Sequence, residues 1–243
     1  MAISAFTPFA NREVMDLVFV DYNTKKPVLN WPLANATATA LTGESVFAYG
    51  GQGHPKRVPF YGEKGGTLTL ETQMQSYALY SLITGADVEN TAKFLEREVI
   101  VASADGSLTI SNTALGNVDV FAADDDCGTS LTATVSDKEV SCDDVVSGKE
   151  YVVYYMKEYT DGVTNIRISS KTFPKAVIIY GTTVSRTEDD KIVAQKLVAY
   201  KASAQMEAEW SFSNSGDPAS MSITFDLLVD EDGNLLDMLA IEK

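Results

Sequence analysis

Basic residues and histidine are scarce in this sequence. It holds 19 Lys and Arg residues against 34 Asp and Glu residues, which gives a formal net charge of −15 at pH 7. The chain is therefore not expected to bind nucleic acids, because nucleic-acid-binding proteins use basic side chains to displace the counterions of the phosphates. The single histidine, His54, cannot form a metal cluster alone, and no His, Cys and carboxylate grouping at ligand spacing surrounds it.

Long apolar runs are also missing. No stretch of about 18 apolar residues occurs, so the sequence predicts no membrane-spanning helix. The first residues, MAISAFTPFANREV, lack a basic segment followed by an apolar one, so no secretory signal is expected. The only cysteines, Cys127 and Cys142, form no CxxC pair, and we expect reduced thiols rather than a disulfide.

Catalytic and ligand-binding motifs are lacking as well. No GxSxG elbow occurs, and a Ser-His-Asp or Cys-His site would have to use the single loop histidine. The glycine-rich stretch Gly50–Arg57 departs from GxGxxG at Lys56, and the acidic stretch from Asp230 lacks the Gly and Glu of a calcium loop. We therefore predict no catalytic residue, no cofactor and no metal site, although a pair of carboxylates as in glycosidases stays open.

Strand patterns dominate what the sequence does contain. Short alternating or apolar runs recur along its 243 residues, separated by turns that contain glycine and aspartate. One helix is predicted over residues 73–83, before Gly85. This pattern favours a mainly β fold, an antiparallel sandwich or barrel with one packed α-helix, over the single domain 1–243. Residues 117–157 are predicted to form a small inserted β unit.

Two features are the most informative for function. Residues 205–212, 220–227 and 67–72 alternate strictly, so each predicted strand has an apolar face and a face of carboxylates and hydroxyls. Residues 22–61 hold many Pro and Gly but few strand patterns, which predicts a long loop or binding arm. Its basic tip contains Gly50, Gly51, Gly53, His54, Lys56 and Arg57.

The C-terminal half of the sequence resembles bacteriophage tail tube proteins, most closely those of large contractile-tailed phages. The resemblance lies in the order of its motifs: Thr172-Phe173-Pro174-Lys175, Gly181-Thr182-Thr183-Val184, the strand 205–212, Gly216-Asp217-Pro218, the strand 220–228 and Asp232-Gly233-Asn234. It is best over about residues 163–234. The predicted helix and the Ala104-Asp105-Gly106 turn also fit.

This resemblance implies a structural subunit and no enzyme. It implies hexameric rings that stack into a tail tube, with sheets of neighbouring subunits joined around a channel. DNA would pass without specific binding along an acidic wall, which repels phosphate. Sheath, tape-measure and baseplate proteins would be partners, the tail of the virion the location, and the host cytoplasm the place of assembly. The candidate channel-facing residues are Thr67, Thr69, Glu71, Glu207, Glu209, Thr224 and Asp226; the basic tip of the arm would contact the next ring.

Two other classes of protein stay open from the sequence. One is another virion β module, such as a capsid decoration or a tail spike. The other is a carbohydrate-binding or adhesion module, for which Tyr151 and Tyr155 on one strand face would form a small aromatic platform, with Tyr154 on the other face.

Overall fold

A computed structural model describes residues 7–207, 214 and 216–242, and of Glu242 the backbone only. Within these residues the chain forms seventeen strands and one helix. They are β1 (Phe9–Asn11), β2 (Asp16–Asp21), β3 (Pro27–Trp31), β4 (Ala36–Tyr49), β5 (Lys56–Thr72), α1 (Tyr77–Thr84), β6 (Val88–Glu89), β7 (Ala92–Val101), β8 (Leu108–Thr109), β9 (Val118–Ala122), β10 (Ala133–Ser136), β11 (Glu139–Cys142), β12 (Glu150–Tyr159), β13 (Asn165–Ile166), β14 (Val177–Thr187), β15 (Ile192–Ala204), β16 (Met221–Leu228) and β17 (Leu236–Glu242). The prediction of a mainly β fold with one helix is confirmed.

The chain divides into two compact units. Unit 1 comprises Met1–Asp87 and Ile166–Lys243, and unit 2 comprises Val88–Asn165. The sequence predicted an inserted β unit over residues 117–157, and the compact unit begins earlier and ends later than that. Its first strands are β6 and β7, which begin at Val88 and Ala92.

Unit 1 is built on a nine-stranded antiparallel sheet. Its strands follow the order β3-β2-β14-β15-β16-β5-β4, and β1 and β17 pair with β14 and β15 beside this path. The path ends on β3 and β4, so the described strands form an open sheet and no closed barrel. The core of the unit includes Leu17, Phe19, Leu70, Ile223 and Phe225, which alternate along their strands with solvent-facing residues.

Helix α1 packs into this core through Leu79, Leu82 and Ile83. It begins later than predicted, because the Ser76 hydroxyl caps it by accepting a hydrogen bond from the Leu79 amide at 3.1 Å. Residues 73–75 therefore precede the helix. It ends as predicted at Gly85, which has a φ of 71° and donates its amide hydrogen to the Ser81 carbonyl. A side chain here would collide with the Phe173 backbone, since a Cβ would lie 2.0 Å from its carbonyl oxygen.

Unit 2 contains two three-stranded sheets, β7-β12-β9 and β10-β11-β8, around its own apolar core. Glu98 lies beside this core and accepts hydrogen bonds from the Tyr155 hydroxyl at 2.5 Å and from the Ser111 amide at 3.0 Å. Burial raises the pKa of Glu98, but the hydrogen bonds from Tyr155 and Ser111 outweigh it and hold this pKa below the usual 4.5. The ionised carboxylate therefore stabilises unit 2.

Unit 2 should accordingly become less stable at acidic pH. Because the pKa of Glu98 is lowered by folding, its contribution is complete above about pH 4.5 and is lost as pH falls through the lowered pKa. Hydrogen-exchange protection of the buried Val153 amide should decrease over this range. Glu98→Gln should lower protection at neutral pH and flatten the decrease. An unchanged acid dependence in Glu98→Gln would show that other groups cause it.

Candidate functional site

A polar face runs across β4, β5 and β16 of unit 1. The strand register places residues in three rows: Glu71 opposite Ser222, Thr69 opposite Thr224, and Thr67 opposite Asp226. On the other faces of these strands, Leu68, Leu70, Met221, Ile223, Phe225 and Leu227 are buried, as the alternation predicted. Five of the seven candidate channel-facing residues are thus brought together, namely Thr67, Thr69, Glu71, Thr224 and Asp226.

Neighbouring strands extend these rows with small side chains. On β4, Ala36, Ala38 and Ala40 lie opposite Glu71, Thr69 and Thr67, and on β15 Ser203 lies opposite Asp226. Sequence reasoning missed the alanines because residues 22–61 were predicted to be a loop. The Ala-Thr alternation of residues 36–40 is the signal that identifies them. We call these rows the polar face; none of their residues is basic.

Hydrogen bonds between strands tie the polar face together. The Thr69 and Thr224 hydroxyl oxygens lie 3.3 Å apart, and the Gln205 side-chain amide donates to the Asp226 carboxylate at 2.7 Å. At the end of the rows, Gly66 permits a close approach of β4, since a Cβ there would lie 2.6 Å from the Ala40 carbonyl oxygen. The arrangement gives hydroxyls and carboxylates fixed on a rigid sheet.

The strand predicted over residues 205–212 is absent at residues 205–207, the part of it that the structure describes. Strand β15 ends at Ala204, and the Gln205 amide continues its pairing by donating to the Thr224 carbonyl at 2.8 Å. Glu207 is exposed and outside any strand, so its prediction as a strand residue on the wet face was wrong. Glu209 and the apolar Trp210 fall outside the described residues. A role of Glu207 and Glu209 at a channel stays a prediction.

The predicted loop over residues 22–61 is wrong in its secondary structure. Strands β3, β4 and β5 occupy most of it, and β4 and β5 form one long antiparallel hairpin with an irregularity between Gly43 and Ser45. The Pro and Gly residues obscured the strand pattern, and the exposed strands carry apolar residues on both faces, so alternation is lost. Both strands are mostly exposed over residues 43–62, which we call the distal hairpin.

The six predicted tip residues lie together at the turn of the distal hairpin. Gly51, Gly53 and His54 have φ values of 91°, 86° and 49°, and the His54 amide donates to the Gly51 carbonyl at 3.2 Å. Such left-handed geometry explains the glycines. Arg57 closes the turn, because its side chain donates to the Gly50 carbonyl at 3.1 Å. The Lys56 ammonium lies 4.2 Å from the centre of the Phe47 ring.

A second acidic surface of unit 1 lies at the turn between β16 and β17. Burial raises the pKa of Asp230, but hydrogen bonds from the Asn234 backbone and side chain and from the Asp232 and Gly233 backbones outweigh it and keep this pKa below its usual value. The nearby Tyr200 hydroxyl donates to the Asp237 carboxylate at 2.5 Å, and this bond raises the pKa of Tyr200. The calcium pattern fails here, and a turn stabilised by one aspartate accounts for the residues.

Unit 2 does not carry the aromatic platform that a carbohydrate-binding module would need. Tyr151 and Tyr155 are 4% and 1% exposed and belong to its core. On the opposite strand face the Tyr154 hydroxyl donates to the Asp126 carboxylate at 3.0 Å, and Arg97 pairs with Asp126 at 2.7 Å. Strand alternation correctly placed Tyr151 and Tyr155 on one face, but it could not indicate which face is buried, since residues 151–155 are apolar on both faces.

Groups that could bind ions or react are dispersed. Within residues 7–207, 214 and 216–242 no three His, Cys, Asp or Glu side chains lie close enough to hold a metal ion. Cys127 is exposed, Cys142 is half-buried, and both are free thiols. No helix in the described part of the chain is long and apolar enough to cross a membrane.

Comparison with known proteins adds one match. The family model described as the YomU/Tube protein family matches residues 11–241, which covers all of unit 2 and most of unit 1. A search of the curated proteins finds no match.

Proposed function

This chain belongs to the YomU/Tube protein family and is a phage tail tube protein, and from this premise we propose that its subunits form hexameric rings that stack into an acidic channel for DNA. The role needs no reaction and no cofactor. Sheath, tape-measure and baseplate proteins are the partners that it implies in the virion tail, and assembly would take place in the host cytoplasm.

The polar face is the observation that carries the proposal. A channel for DNA has to interact weakly with phosphates, because a wall with basic side chains would release counterions and bind the duplex. The polar face presents Glu71 and Asp226 among hydroxyls and small alanines, without a basic residue. A cross-strand hydrogen bond links the Thr69 and Thr224 hydroxyls, and the two carboxylates give the surface a negative charge.

The sheet also has free edges through which subunits can join. Its path ends on β3 and β4, and in a single subunit the outer edge of each has no partner strand among the described residues. Joining such edges between neighbours would pair the exposed backbone groups and place the polar faces side by side around the channel. In this arrangement the wall of the channel would consist of the polar face repeated from each subunit.

The distal hairpin is proposed as the ring-stacking arm. It exposes Val46 and Phe60, which face each other across β4 and β5 at 70% and 60% exposure. A two-stranded ribbon with apolar residues on both faces is marginal in water, so contact with another surface would stabilise it. Its turn, with Lys56 and Arg57, contributes basic groups to an otherwise acidic chain.

Assembly of the purified chain tests this function. We expect electron micrographs of the protein at high concentration to show rings or tubes about six subunits around, as head-to-tail contacts that do not close produce filaments. Sedimentation at low concentration should give the size of a single subunit as the reference. Persistent single subunits at high concentration, even after addition of tail-assembly partners, would contradict the proposal.

A further inference from the structure

Strand β17 presents an unpaired and apolar edge. It pairs with β15 along Val193–Ala199, and no strand among the described residues pairs with its other edge. Met238 and Ile241, which point to opposite sides of the strand, are 68% and 45% exposed. Free backbone groups flanked by apolar side chains form a template for a further strand, and soluble proteins normally cover or charge such edges.

The distal part of β5 has the same property. The pairing of β5 with β16 ends where Gly66 lies opposite Leu227, so before that point β5 pairs with β4 alone. Tyr61, within this stretch of β5, is 81% exposed. Besides the ends of the sheet path, the distal hairpin and β17 thus each offer a free strand edge with apolar flanks.

The two edges carry opposite charge. Residues 229–242 contain five acids and no base: Asp230, Glu231, Asp232, Asp237 and Glu242. The distal hairpin, residues 43–62, contains the two bases Lys56 and Arg57 against the one acid Glu44. Pairing of β17 with a second β17 would bring acids together, whereas pairing with the distal hairpin brings acids to bases.

We propose that the free edge of β17 binds the distal hairpin of a second copy of this chain. The contact is heterologous, because each copy offers one hairpin and one edge, so it continues from copy to copy. This contact specifies how the proposed rings stack, and it rests on the proposed self-assembly. The apolar side chains Val46, Phe60, Met238 and Ile241 become covered, and Lys56 and Arg57 approach the acidic turn before β17.

Complementary variants test this contact in the full chain. The hairpin variant carries Val46→Glu with Phe60→Glu, and the edge variant carries Met238→Lys with Ile241→Lys. Each alone should form single rings in sedimentation velocity and no longer stack them into tubes. An equimolar mixture of the two kinds of ring should form pairs of rings and stop, because the intact hairpins of the edge variant bind the intact edges of the hairpin variant.

The outcomes separate this contact from the proposed function. Failure of the unaltered chain to assemble overturns both proposals. Tubes formed by either variant alone, or a mixture that stays as single rings, overturn the contact alone. Association of two β17 edges would instead appear as pairs of rings in the hairpin variant by itself and would also overturn it.

A charge exchange guards against variants that fail to fold. Lys56→Glu with Arg57→Glu changes two exposed side chains at the turn, of which Arg57 also donates to the Gly50 carbonyl, and should reduce the stacking of rings. Adding Glu231→Lys with Asp232→Lys in the same chain should restore it, since the two charged surfaces are then exchanged. No restoration, with both chains folded by circular dichroism, would show that these surfaces do not meet.

Discussion

Replacing Phe225 with alanine is expected to lower the free energy of unfolding of unit 1 by about 3–5 kcal/mol. Phe225 is fully buried on β16, and its ring centre lies 5.3 Å from that of Phe19 on β2. Truncation removes apolar contacts and leaves a cavity that a sheet fixed by hydrogen bonds on both sides fills only in part. The same residue supports the polar face, because its neighbours Thr224 and Asp226 point away from the core.

Urea unfolding followed by tryptophan fluorescence measures this effect. The chain has two tryptophans, Trp31 and Trp210, and both belong to unit 1, so the signal reports on this unit. Phe60→Ala is the matched control, because this phenylalanine is 60% exposed on the distal hairpin and its loss should change stability by no more than about 0.5 kcal/mol. Equal effects of the two substitutions would contradict the assignment of the core.

The sequence predicted those parts of the fold in which one face of a strand is buried and the other is wet. Residues 67–72 and 220–227 alternate with period two because each forms an inner strand of a sheet over a core. The same pattern located most of the polar face. The Gly85 stop signal also located the end of α1, since a left-handed residue there is nearly specific to glycine.

The distal hairpin could not be predicted in this way, because its side chains are exposed on both faces in a single subunit. Val46, Phe60 and Tyr61 give no alternation, and Gly50, Gly51, Gly53 and Pro59 indicate turns. Its strands are specified by pairing of β4 with β5 over a long register, which a local pattern does not reveal. Burial in an assembly, rather than in the subunit, would explain such a composition.

Residues 205–207 show the opposite error. They begin an alternation as regular as that of β16, yet β15 ends before them at Ala204, where its described pairing with β16 reaches Phe225. Alternation predicts which side chains of a strand would be buried, but it does not determine where the strand ends. The end depends on how far the partner strand extends, and that partner is distant in sequence.

Reversing the charge of the polar face should slow the passage of DNA while leaving tube assembly intact. Glu71→Lys with Asp226→Lys places two bases per subunit on a face that has none, in rows that are not directly opposite each other. Each phosphate that these lysines neutralise releases counterions, so retention of duplex DNA should weaken with salt, with a logarithmic slope of about −0.9 per phosphate contact. DNA ejection from assembled particles and DNA binding by purified tubes measure the change.

Two control variants test whether the effect comes from the added bases and from the polar face. Glu71→Gln with Asp226→Asn removes the same acids without adding bases, and retention should then be much weaker than in the lysine variant. Glu139→Lys with Asp161→Lys makes an equal change of charge on exposed residues of unit 2 and should leave ejection unaffected if the effect belongs to the channel wall. Lysine variants that fail to form tubes but still fold would place the polar face in a contact between subunits, because a buried contact rejects unpaired lysines whereas a water-filled channel accepts them.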